Sequence, residues 1–275
     1  NLMPGFDMHI HTTASDGVFS VQEIIEKAIE IKLEGIALTD HDTINGLEEG
    51  IAWGKKLKFP IIPGIELSTE FNDQEIHILG YFIDYRLSWV KEKLAELQDA
   101  RVQRIVKMVD NLKNLGYDVN VDEVFLQAGH GAVGRPHVAY VLQQKGYVSH
   151  LHDAFRRLIG KDCPAYVPRY KMTPLEALDF IIKAGGIPVL AHPGLSKADP
   201  LIRPLWAEGL KGIEVYHPDH NTYDEAKYLG IAKVYKLLVT GGSDFHGPLG
   251  GGRSALGSKY VPATIWQDMI NLIKR

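Results

Sequence analysis

The chain has 275 residues, is 45% hydrophobic and carries a formal net charge of -4, with an isoelectric point near 6.3. It is long enough to bury a substantial core, and it has no global positive field to hold long duplex nucleic acid through its phosphates. The single cysteine, Cys163, excludes an internal disulfide and reads as packing; there is no signal-peptide pattern and no apolar run of about twenty residues, so a cytoplasmic protein without membrane contact is expected.

The apolar run Phe6 to Ile10 predicts a short strand bearing His9 and His11. Strand side chains alternate faces, so two imidazoles two residues apart point the same way. A loop with Asp16 and Gly17 follows, then the capping box Ser20-Val21-Gln22-Glu23 opens a helix reaching about Leu33. Ile36 to Leu38 form the second strand, Thr39-Asp40-His41-Asp42 sits at its end, and a helix covers roughly Gly46 to Leu57. The third strand, Pro60 to Ile65, finishes in Glu66, and the fourth, Ile76 to Tyr81, carries His77 near its start. Strands alternating with helices imply a mainly parallel sheet.

From Ser88 to Leu115 the pattern changes to one long charged helix, followed by helical segments near Val121 to Gln127, Pro136 to Lys145 and Leu151 to Leu158. The stripe Val90, Leu94, Leu97, Val102, Ile105, Val109, Leu112 is expected to pack on those later helices. Residues 90–165 thus read as a helical insertion domain, with 1–89 and 166–275 forming the main domain. Strand–helix alternation then returns. Thr173 and Glu176 cap a helix with Pro174 at its first position, Ile187 to Ala191 lead into His192, Gly212 to Tyr216 into His217, and Leu237 to Thr240 into Gly241-Gly242-Ser243-Asp244-Phe245-His246. A final helix starts near Thr264.

His9, His11, Asp16, His41, Glu66, His192, Asp244 and His246 all fall at or just past the C-terminal ends of predicted strands, the end where barrel folds place their sites. Nitrogen and oxygen donors without cysteine favour Mn, Zn or Fe. With His77 the set is large enough for two or three divalent ions that share a carboxylate and a water, the arrangement used in phosphoester hydrolysis.

The ordered series D-x-H-x-H-T-x-x-S-D-G, T-D-H-D-T, P-G-I-E, A-H-P-G and G-S-D-F-H-G resembles the motifs of the PHP (polymerase and histidinol phosphatase) family of metal-dependent phosphoesterases, over nearly the whole chain. The insertion resembles the stand-alone nucleotide phosphoesterase branch. The resemblance implies an α/β fold, a distorted (β/α)7 barrel with an inserted helical subdomain. It also implies a trinuclear site: one ion on His9, His11, Glu66 and Asp244, a second on Asp16, His41 and His246, a third on Glu66, His77 and His192.

A metal-bridging hydroxide is the expected nucleophile. Arg135, in Gly134-Arg135-Pro136-His137, and Arg169 are candidates to meet phosphate, and His217 to contact phosphate or protonate the leaving oxygen. His137 is the second choice for that role, since from inside a helix it could instead face solvent. Asp40 is expected to orient an imidazole, and His130, His150, His152 and His220 to lie at the surface or in caps. The resemblance points to phosphomonoesters of small nucleotides, such as 3',5'-bisphosphonucleotides, or 5'-3' exonucleolytic trimming of short oligonucleotides. Histidinol-phosphate phosphatase and a non-catalytic metal-binding module are the alternatives. No protein partner is legible.

Overall fold

Seven strands lie in one sheet in chain order: β1 (Phe6–Asp7), β2 (Gly35–Leu38), β3 (Ile61–Phe71), β4 (Gln74–Tyr81), β5 (Ile187–Leu190), β6 (Gly212–Tyr216) and β7 (Leu238–Gly241). The computed structural model describes residues 5–129, 131–168, 172–248 and 255–274. Met8 N donates to Gly241 O at 3.1 Å and His11 N to Phe245 O at 2.9 Å, so the chain after β7 returns to the chain after β1. The sheet is thereby nearly closed into a barrel, with helices around it. This is the α/β barrel that the resemblance implied.

The sheet is less parallel than strand–helix alternation suggests. β1-β2-β3 and β5-β6-β7 pair in parallel, but β4 is antiparallel to both of its neighbours. The cause is local. β3 does not stop at Glu66; it continues to Phe71 and returns through Asn72 and Asp73, both with positive φ (48° and 61°), the two-residue hairpin turn that matches strand twist. Glu66 pairs with Leu79, two residues from His77 on the same face, so the two functional groups become diagonal neighbours across the hairpin. Because β4 runs backwards, the start of that strand reaches the end of the barrel where the other strands finish.

Around the sheet lie α1 (Val21–Glu30), α2 (Leu47–Leu57), α7 (Pro174–Lys183), α8 (Pro193–Ser196), α9 (Asp199–Ala207), α10 (Thr222–Tyr235) and α11 (Thr264–Ile273). Ser20 and Thr173 form the expected capping boxes. Ile62, Leu79, Tyr81 and Val189 form a core cluster closed by Ile265 and Met269 of α11. Ile62 and Leu79 share strand faces with Glu66 and His77, so apolar packing continues directly into the polar site. Each such buried side chain contributes about 1.5–3 kcal/mol, which offsets the cost of ionisable groups held in the same barrel.

Between β4 and α7 come α3 (Ser88–Asn114), α4 (Val121–Ala128), α5 (Arg135–Gln144) and α6 (Leu151–Ala154), the last running into a π-helical turn at Phe155–Ile159. The stripe on α3 does not serve one purpose. Val90, Leu94 and Leu97 join the barrel-side core, while Ile105, Met108, Val109 and Leu112 join a separate core with α4, α5 and α6. A 27-residue helix spans about 40 Å, so one amphipathic face can bridge two cores. Among the described residues no helix is long and apolar enough to cross a membrane.

Candidate metal centre

Glu66 lies at the middle of the site with both oxygens engaged. Its Oε2 is 3.1 Å from His9 Nε2, 3.1 Å from His11 Nε2 and 3.1 Å from His41 Nδ1. Its Oε1 is 2.8 Å from His77 Nδ1 and 3.1 Å from His192 Nε2. Asp244 Oδ1 lies 3.4 Å from His9 Nε2 and 3.1 Å from His11 Nε2, and Asp16 Oδ1 lies 3.2 Å from His246 Nε2. Four donor groups result: His9, His11, Glu66 and Asp244; His11, Asp16, His41 and His246; His41, Glu66 and His77; and His9, Glu214 and His217. All nine residues singled out as ligands are therefore drawn together. His192 reaches the group through Glu66.

These residues fit divalent ions on a test of their own geometry. His9 Nε2, both ring nitrogens of His11, His41 Nδ1, Glu66 Oε2 and His246 Nε2 are buried with no hydrogen-bond partner. Polar atoms at this depth are normally satisfied, because leaving one unpaired costs about 1–3 kcal/mol. Here the nitrogens crowd toward carboxylate oxygens without hydrogen-bond geometry, as lone pairs do when they converge on a shared cation.

The electrostatics agree. Burial pushes the His11 imidazole down, but the Glu66 and Asp244 carboxylates outweigh it and hold the group up to about 9. His77, buried against Glu66 and Glu75, is carried to about 10. Burial dominates at His41, aided by neighbouring imidazoles, and depresses it to about 3. Despite their burial, Glu66, Asp16 and Asp244 are held well below the usual carboxylate range by the histidines they face. Protons and cations compete for one set of donors.

Backbone geometry holds the ligand loops. His192 and Asp244 have φ of 26° and 50°, conformations that non-glycine residues adopt at some strain and that the surroundings must enforce. Gly242 is required by close approach, since a Cβ there would lie 2.3 Å from His9 N. Asp7 accepts from Ser243 Oγ at 2.5 Å, Ser243 N at 2.9 Å and Gly257 N at 2.9 Å, which ties the Asp244 loop to the first strand. Burial pushes the Asp7 carboxyl up to about 6 against those bonds.

Several expectations change. Asp40 does not orient an imidazole; its oxygens accept from Thr12 N, Thr12 Oγ1 and Ser15 Oγ at 2.7, 2.9 and 2.6 Å, fixing the loop that presents Asp16. His137 does not face solvent, because its Nδ1 accepts from Gly134 N at 2.9 Å and the ring is buried. His220 is buried too, donating from Nδ1 to Val215 O at 2.8 Å and accepting from Gly194 N at 3.0 Å. His217 lies inside the site, 1% exposed, with Nε2 3.4 Å from Asp244 Oδ2 and Nδ1 accepting from Asp219 N. Arg169 falls outside the described residues, as does His130.

A cavity of 350 Å³ opens beside the cluster. Asp16, His41, His77 and His192 line one side, and Arg101, Arg104, Arg135 and Phe155 the other. Arg135 donates to Glu75 at 2.8 Å and lies over the Phe155 ring. Arg101 holds Asp42 at 2.6 Å, joining α3 to the loop after His41. Sequence reading missed Arg101 and Arg104, whose only signal is two arginines three apart on α3. It also missed Glu214, which does stand out as the one acid in the apolar strand Gly-Ile-Glu-Val-Tyr.

The description PHP domain matches residues 7–154 of this chain. Phosphoribosyl 1,2-cyclic phosphate 1,2-diphosphodiesterase of Eggerthella lenta is 31% identical over 251 residues, covering 89% of this chain and 95% of the relative. The 3',5'-nucleoside bisphosphate phosphatase of Chromobacterium violaceum is 30% identical over 276 residues, covering 97% of each. The 5'-3' exoribonuclease Rnm of Escherichia coli is 31% identical over 259 residues, covering 88% and 85%. The crystal structure of a candidate metal-dependent phosphoesterase from Bifidobacterium adolescentis superposes with a TM-score of 0.90 at 29% identity, covering 99% of both chains.

Proposed function

This chain belongs to the PHP domain family and is a metal-dependent phosphoesterase, and from that premise we propose that it acts on small nucleotides. The substrates are phosphomonoesters such as 3',5'-bisphosphonucleotides, or short oligonucleotides trimmed from the 5' end, the activities named for two of its relatives. The observation that carries this reading is the juxtaposition of the donor cluster with a 350 Å³ arginine-lined cavity. That volume suits a mononucleotide, and its charge suits phosphate.

Two or three divalent ions, of Mn, Zn or Fe, would be held by His9, His11, Asp16, His41, Glu66, His77, His192, Asp244 and His246. When bound, they supply activation of water near neutral pH and neutralisation of phosphoryl charge. The side chains do the rest. Glu66, with an oxygen toward each half of the cluster, is the shared carboxylate. Arg135, at the cavity wall beside Glu75, meets a phosphate oxygen and fixes its orientation. His217 donates to Asp244 and sets that carboxylate's direction, and its burial makes this role fit better than contact with a leaving group. The insertion, residues 90–165, selects the substrate while the barrel carries the metals.

The test is turnover by protein loaded separately with Mn2+, Zn2+ or Fe2+. Nucleoside 3',5'-bisphosphate, short 5'-phosphorylated RNA, phosphoribosyl 1,2-cyclic phosphate and histidinol phosphate are compared side by side. Faster turnover of the first two is expected. Preference for either of the last two defeats the substrate assignment while leaving the metal chemistry standing.

A further inference from the structure

Glu214 is 0% exposed on β6, and the chemistry described so far makes no use of it. Its Oε1 lies 2.8 Å from His9 Nδ1, and its Oε2 accepts the backbone N–H of His192 at 2.8 Å. An ionised carboxylate only accepts, so His9 must carry its proton on Nδ1. That leaves Nε2 as the His9 atom available to a cation, and it is this atom that lies 3.1 Å from Glu66 and 3.4 Å from Asp244 with no hydrogen-bond partner. The second bond falls on the residue whose backbone has φ of 26°.

We infer that Glu214 is a positioning residue that presets two ligands carried by different strands, the ring tautomer of His9 and the strained backbone of His192. The inference rests on the metal-centre reading above. Its physical basis is that the hydrogen bond made by one ring nitrogen of an imidazole sets which nitrogen meets a cation, and an acceptor that makes that bond raises ligand basicity. A single carboxylate is needed because both partners donate. Glutamine at 214 can accept one of them, but its amide then turns N–H against the remaining donor.

The experiment compares wild type with Glu214→Gln in Co2+ and Mn2+ binding by equilibrium dialysis, with the visible spectrum of bound Co2+ and thermal melting of the metal-free proteins recorded alongside. For the variant, affinity of the site that includes His9 is expected to fall about 10- to 100-fold, the range for lost outer partners of metal ligands, with an altered Co2+ spectrum. Unchanged affinity and spectrum overturn the inference, whatever happens to melting, because a purely structural role moves only the melting. Should the variant not fold, 15N chemical shifts of the imidazoles in Zn2+-loaded wild type decide: His9 protonated on Nδ1 and metal-bound through Nε2 supports the inference, and any other state of that ring overturns it. Failure of wild type itself to bind Co2+ or Mn2+ would instead sink the metal-centre reading.

Discussion

The two walls of the cavity are built on opposite principles. The barrel wall, Asp16, His41, His77 and His192, is backed by fully buried groups, His9, His11, Glu66 and Glu214, fixed by strand register and by partners inside the barrel. On the insertion wall Arg101 and Arg104 are held by Asp42 and by Val167 O, whereas Arg135 rests on an exposed Glu75 and an aromatic face and is the arginine with most freedom to move. Donors that must meet a cation tolerate little positional error, whereas a wall that recognises a flexible nucleotide gains from side chains able to move. On the proposed reading, rate belongs to the barrel and selectivity to the insertion.

The sharpest way to break that division is on the barrel side. Asp16→Ala or His246→Ala should lower turnover by about 10³-fold or more, the scale of removing one preorganised charge-stabilising group, with circular dichroism unchanged because neither residue is in the apolar core. Unaltered turnover in both would remove the barrel from the chemistry. Next in size, Arg101→Ala should destabilise the protein by about 3–5 kcal/mol, since Asp42 loses its guanidinium at 5% exposure. Denaturant unfolding checks this, and a loss below about 1 kcal/mol would mean that the insertion and barrel are joined by packing alone.

Smaller again, Arg135→Ala should raise KM for bisphosphonucleotide about 10- to 100-fold, the worth of one charge-assisted hydrogen bond, with metal content by elemental analysis unchanged. Metal lost along with activity would place Arg135 on the wrong wall. The smallest effect is in pH dependence. His11 and His77 have folded values of about 9 and 10, above the ordinary 6.5, so in metal-free protein their stabilisation is complete below 6.5 and is lost as pH rises through 9 to 10. Bound cations replace those protons, so the metal-loaded protein should keep its melting temperature over that range while the metal-free protein declines. Parallel decline in both would argue against proton–metal exchange at these residues.

Much of the site is legible from residue spacing. His9 and His11 share a strand face by the period of two, and each later strand end brings its own donors, so the donor set follows from local pattern. Glu66 and His77 are an instructive exception. Treating each strand as one more parallel unit makes Glu66 a strand end, and it conceals the Asn72-Asp73 hairpin that sets the two side by side. Asp40 and Glu214 exchange roles for a similar reason. Asp40 is next to His41 in sequence but bonds Thr12 and Ser15, while Glu214 lies 205 residues from His9 and bonds its ring.

Side-chain type and periodicity, which depend only on near neighbours along the chain, determined the strand–helix alternation, the helical stretch after β4 and the set of metal-competent donors, while the barrel was implied by the family's motifs. Strand reversal at β4, the splitting of α3 between two cores, the arginine wall and the Glu214 bridge were decided by tertiary structure alone. They depend on which distant surfaces bury one another, and a buried acceptor takes whichever donor the packed barrel presents to it.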